Sequence, residues 1–174
     1  LVNNATAAVY TLPDTHETAL HYDPQAMTRQ KKNHRHRHSP SAHENLAEAY
    51  WKVSKPDSAL LMFEQSGPDF KTLGYAEGIA MNIGNKGIAY ALLGKDQMAK
   101  DEINHAIHMF EKMDNYYPIT VFLTYMSDLY LNQGNWEAAR TYAQKSLDMA
   151  EKYGLKEEIS AANLQLSKLY EQAG

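Results

Sequence analysis

The densest run of chemically competent side chains is RQKKNHRHRH, Arg29 to His38. Arg29, Lys31, Lys32, Arg35 and Arg37 are interleaved there with His34, His36 and His38. Cations at this density suit a phosphate or another anion, though short basic runs also occur as solvated linkers. His34 and His38 would share a helix face and offer two imidazoles to a metal, but no carboxylate within the tract completes a ligand set. The favoured reading is a linker between structural units. The alternative is a nucleic-acid- or anion-responsive regulator that uses tract 29–38. His105 and His108, with Asp101 and Glu102 nearby, are the other titratable grouping, of a kind that helical surfaces produce often. No nucleophile elbow, phosphate loop, HExxH or paired CxxC is present. The expectation is therefore a protein that is not an enzyme and has no metal and no cofactor.

The 174 residues suffice for one domain, and 44% apolar content argues against general disorder. The net charge of −4 is too mild to steer a polyanion or a membrane by itself. It is uneven: residues 1–38 hold five basic and three acidic side chains, and the remainder holds twelve and eighteen. The absence of cysteine excludes disulfides and thiolate chemistry, which fits the cytoplasm or a bacterial periplasm equally. No apolar run approaches the roughly 18 residues of a membrane span, so no membrane contact is expected from this segment.

The elements that carry these residues repeat. Tyr10, Tyr50, Tyr90, Tyr130 and Tyr170 recur every 40 residues. So do Ala19, Ala59, Ala99 and Ala139, and the small residues Ala7, Ala47, Gly87, Ser127 and Ser167. Helical periodicity predicts paired helices within each unit. The units are about 1–39 (degenerate, interrupted by Pro13 and Pro24), 40–79, 80–119, 120–159 and a half repeat 160–174, all in one domain 1–174. Ser66-Gly67-Pro68 is expected to stop the helix that begins near Asp57. Residues 113–118 are expected to form a loop, with Pro118 in the first turn of the next helix. Gly84 and Gly87 within a helix predict close helix–helix approach, and Gly94 fits a left-handed helix end.

The order Gly87-x2-Tyr90, Ala99, Ile103, and again Ser127-x2-Tyr130, Ala139, Ala143, resembles the tetratricopeptide repeat. The resemblance spans essentially the whole chain, with 13–40 the weakest match. The period is 40 where 34 is usual, and the family's closing proline is absent. The chain in this respect resembles the longer-helix regions of bacterial, Bacteroidetes-type sensor kinases and transcription regulators. The resemblance implies an all-α, right-handed α-α superhelix of antiparallel helix pairs and a protein- or peptide-binding scaffold, the sensory or interaction region of a larger signalling or regulatory protein.

The resemblance also implies a concave groove lined by the first helix of each pair. Carried onto this sequence, the groove presents Glu44, Asn45, Glu48, Trp51 and Lys52, then Met81, Asn85 and Ile88, then Val121, Tyr125, Asp128 and Asn132, and finally Gln165 and Lys168. A polypeptide is the expected partner, and nucleic acid is not. Family members that grip acidic chain ends use lysines and an arginine there, and Glu44, Glu48 and Asp128 stand in this groove instead. At the far end, Ile159, Leu164, Leu166, Leu169 and Tyr170 are more apolar surface than one neighbouring helix should cover. The expectation is that the native protein continues beyond Gly174, or that this end pairs with a second molecule.

Overall fold

The computed structural model describes residues 55–173. The expectations for the basic tract, for Glu44, Asn45, Glu48, Trp51 and Lys52, for repeat 1–39 and for the part of repeat 40–79 before residue 55 lie outside the described residues. Among the described residues there are six helices and no strand: α1 (Pro56–Leu73), α2 (Ala76–Leu92), α3 (Asp96–Glu111), α4 (Tyr116–Asn132), α5 (Trp136–Tyr153) and α6 (Lys156–Ala173). None of them is long and apolar enough to cross a membrane.

A single turn chemistry sets the spacing. Gly74, Gly94, Asp114, Gly134 and Gly154 all have positive φ and fall 20 residues apart. Each ends one helix in the left-handed conformation. At Gly74 the turn is closed by the Gly74 amide donating to Lys71 O and the Tyr75 amide donating to Phe70 O, both at 3.1 Å. The same pair of bonds recurs at the other four ends. Asp114 is the exception to glycine, at φ 52°. Its Oδ1 accepts from the Tyr116 hydroxyl at 2.8 Å. Tyr116 in turn stacks on Tyr153, with ring centroids 3.7 Å apart.

Each helix packs against the next in the chain, and α2 also touches α4 as α4 touches α6. The pairs α2–α3 and α4–α5 therefore stack as successive layers. Small residues allow the close contact. A Cβ at Gly87 would lie 2.7 Å from Ile103 Cγ1 and 3.0 Å from Ala99 O, and one at Gly84 would fall 2.1 Å from Phe122 Cζ. Both glycines thus sit where the sequence requires close approach. Phe63, Phe110, Phe122, Ile103, Ile119 and Met126 fill the layers as fully buried side chains.

The tyrosine series is core at one end and surface at the other. Tyr90 is 9% exposed and Tyr170 57%. Between them Tyr130 is half-buried, stacked on Tyr142 at 5.3 Å, with the Lys100 ammonium 4.3 Å from its ring centre. Arg140, one repeat after Lys100, lies 5.7 Å from the Tyr170 ring. Lys86, where the two later repeats have Met126 and Leu166, is half-buried and reaches Glu102 Oε1 at 3.3 Å.

Two boundaries differ from the sequence expectation. Helix α1 does not stop at Ser66-Gly67-Pro68 but runs on to Leu73 with Pro68 inside it. Proline removes one helical donor. The site is stabilised from outside: Asn82 Nδ2, on α2, donates to Phe63 O at 3.0 Å and to Ser66 Oγ at 2.7 Å. Helix α4 begins at Tyr116, inside the expected 113–118 loop, and Pro118 does stand in its first turn.

Candidate functional site

The first helices of the layers, α2, α4 and α6, carry the residues assigned to the groove. On α4, Val121, Tyr125 and Asp128 are half-buried and Asn132 is exposed, so positions i, i+4, i+7 and i+11 form one stripe. Tyr125 packs against the main core cluster from its edge. On α6, Lys168 is exposed and Gln165 is buried. Met81 on α2 is half-buried.

Asn85 and Ile88 correct the expectation. They are 6% and 4% exposed, and Ile88 belongs to the hydrophobic core. The resemblance places them in the groove, but their side chains are enclosed by packing rather than presented on an open surface.

The structure brings Asp128, Gln165 and Lys168 together. Gln165 Nε2 donates to Asp128 Oδ1 at 2.6 Å and to Ser127 Oγ at 3.2 Å. This bridge joins α4 to α6 and fixes the Asp128 carboxylate. Burial raises the Asp128 pKa above its ordinary value, and the Gln165 hydrogen bond and the Lys168 charge act in the opposite direction. The result is a half-buried carboxylate with an apolar and aromatic stripe to one side and an exposed amide, Asn132, one turn onward. Such a set can pair with a donor or cation and anchor an apolar side chain. The Gln165 bridge was not foreseen in the sequence, where both partners were read as facing a ligand. Its signal was present as a separation of 37 residues, close to the repeat length.

His105 and His108 are exposed on α3, and His108 Nδ1 lies 3.4 Å from Glu111 Oε2. Among the described residues no group of three or more metal-ligating side chains converges.

No family model matches the chain, and no curated protein matches it. Solved structures do. Aspartyl phosphate phosphatase F from Bacillus subtilis aligns at 17% identity with a TM-score of 0.74, over 98% of this chain and 46% of its own. A STAND signal-transduction ATPase with a tetratricopeptide repeat sensor, PH0952 from Pyrococcus horikoshii, aligns at 18% and 0.74, over 98% and 26%. A Podosopora anserina putative kinesin light chain with nearly identical TPR-like repeats aligns at 15% and 0.67, over 97% and 92%. With the helix pairs above, these likenesses define the fold as an all-α, tetratricopeptide-like solenoid. The chain spans under half the length of the phosphatase and about a quarter of the ATPase.

Proposed function

We propose that this chain is a protein- or peptide-binding scaffold without catalytic activity of its own, serving as the sensory or interaction region of a larger signalling or regulatory protein, and that the stripe on α4 with its neighbours on α6 receives the partner. The observation that carries this reading is the Tyr125–Asp128–Asn132 stripe, held by the Gln165 bridge on packed helices. A face fixed in this way meets an extended segment with little ordering cost of its own. One of the similar structures is named as a signal-transduction ATPase with a tetratricopeptide repeat sensor, which fits the same role.

The half-buried Asp128 favours neutral or basic segments over acidic ones. A peptide-array screen tests this, followed by titration of the selected peptide. Asn132→Ala should weaken binding about tenfold, or 1.4 kcal/mol, at an unchanged melting temperature. Asp128→Asn should relax the preference for basic residues. Strong selection of acidic chain ends, or an Asn132→Ala variant that binds as wild type, overturns the proposal.

A further inference from the structure

A concavity lies between α1 and α2. Its volume is about 220 Å³, and it is lined by Phe63, Gly67 and Pro68 from α1 and by Ile79, Asn82 and Ile83 from α2. Glu64, Lys71 and Lys86 complete the wall. The 40-residue register explains why it exists here and what distinguishes it. Gly67 stands where later repeats have Ile107 and Leu147, and Asn82 where the next has Phe122. Ile107 and Phe122 are 9% and 1% exposed, so the same space one repeat later is filled by side chains. Among the described repeats the concavity thus falls where the side chains are smaller; a Cβ at Gly67 would already lie 3.1 Å from Asn82 Oδ1, so the apolar wall it offers is Pro68, Ile79 and Ile83.

The charges around it depart from the repeat in the same place. Lys71 stands where later repeats have Glu111 and Glu151, and Lys86 where they have Met126 and Leu166. Lys86 is occupied by Glu102 at 3.3 Å. Lys71 is exposed and makes no ion pair among the described residues. The Glu64 carboxylate belongs to the other end of the groove, two helical turns or about 10 Å from Lys71 along α1. An apolar vacancy with an unpaired cation at one end fits a ligand that is apolar with one terminal anion.

We propose that the α1–α2 groove binds a small amphipathic carboxylate, with its apolar body against Pro68, Ile79 and Ile83 and its acid group on Lys71. The volume is below the ~300–1,000 Å³ of drug-sized sites. A single ring on a short acid chain is therefore the scale of ligand that fits. This site is independent of the inner-face reading, and either can fail alone.

The test is a proton–nitrogen NMR titration of the full chain with 3-phenylpropionate, beside the neutral isostere 3-phenylpropan-1-ol. The expected result is saturable shifts at the amides of Phe63, Gly67, Ile79 and Ile83, with the alcohol weaker by about fivefold. Lys71→Glu restores the charge of the other repeats at an exposed position and should weaken the acid about tenfold. Ile83→Phe fills the groove from the other wall and should abolish the shifts. A tripeptide ending in a free phenylalanine carboxylate, against its amide, separates the sources of the ligand. Tighter binding than the acid assigns a polypeptide chain end, weaker binding assigns a free small acid, and both support the carboxylate requirement. No saturable shift at millimolar acid, equal binding of acid and alcohol, or an unchanged affinity in Lys71→Glu overturns the proposal.

Discussion

Asp128 is a residue whose surroundings alter its chemistry. Burial raises its pKa, so the folded chain holds a proton there more tightly than the unfolded chain does. A group raised in this direction contributes stability below its unfolded pKa and loses it as pH rises through the folded value. At neutral pH the ionised carboxylate therefore opposes folding. Asparagine keeps an oxygen to accept from Gln165 and carries no charge. Asp128→Asn should accordingly melt above wild type at pH 7, and the gap should close as pH falls through the carboxylate range. Thermal melts between pH 3 and 7 check this, and a gap that widened in acid would contradict it. The face of α4 that carries Asp128 was legible in the sequence, because the repeat register fixes the face of a helix. Its environment was not legible, because it depends on Gln165, 37 residues away. Asn85 and Ile88 show the same limit. Periodicity placed them on the right helix, but only the packed structure shows that neighbours enclose them.

At the scale of the element, α1 and α2 show how one helix is completed by another. Local chemistry makes Pro68 a helix stop, and the sequence was read that way. The helix continues because Asn82 supplies two donors to the turn that precedes the proline, and Phe63 and Phe70 bury the helix on both sides of it. A contact 19 residues distant overrides the local preference. Asn82→Ala should cost about 1–3 kcal/mol, the range for leaving buried groups unsatisfied. It should also loosen the second half of α1, so that amide exchange at Phe70 and Lys71 quickens while that at Ala59 is unchanged. Uniform exchange across α1 would show that Asn82 contributes nothing specific to the proline turn. By contrast, the helix end at Gly94 was legible, because left-handed glycine is a local requirement, repeated here every 20 residues; the end at Gly74 was not, since the stop was read at Ser66-Gly67-Pro68. Asp114 hid one end of that series, since its type does not announce a positive φ.

The whole molecule is a stack in which each layer depends on the next, and α6 is the layer where the described stack ends. Its two apolar sides fare differently. Leu166 and Leu169 are 7% and 5% exposed, packed with Ala139 and Ala143. Leu164 and Tyr170 are 59% and 57% exposed. One repeat earlier the matching residues are Thr124 and Tyr130, which meet α5 through the Thr124–Ser146 hydrogen bond and the stack on Tyr142. Leu164 and Tyr170 thus occupy the positions that a following helix covers within the described repeats. Two double variants separate burial from association. Leu166→Glu with Leu169→Glu should unfold the last layer, at a cost of several kcal/mol, since two charges are buried without partners. Leu164→Glu with Tyr170→Glu should leave the melting temperature within a few degrees of wild type, as exposed substitutions do. If this face pairs with its copy in a second molecule, the chain should associate with rising concentration in light scattering, and the Leu164/Tyr170 variant should shift it towards monomer. A wild-type chain that stays monomeric at high micromolar concentration removes the second molecule from the account. The contrast in stability between the two variants would stand, because it rests on the burial among α4, α5 and α6 within one chain.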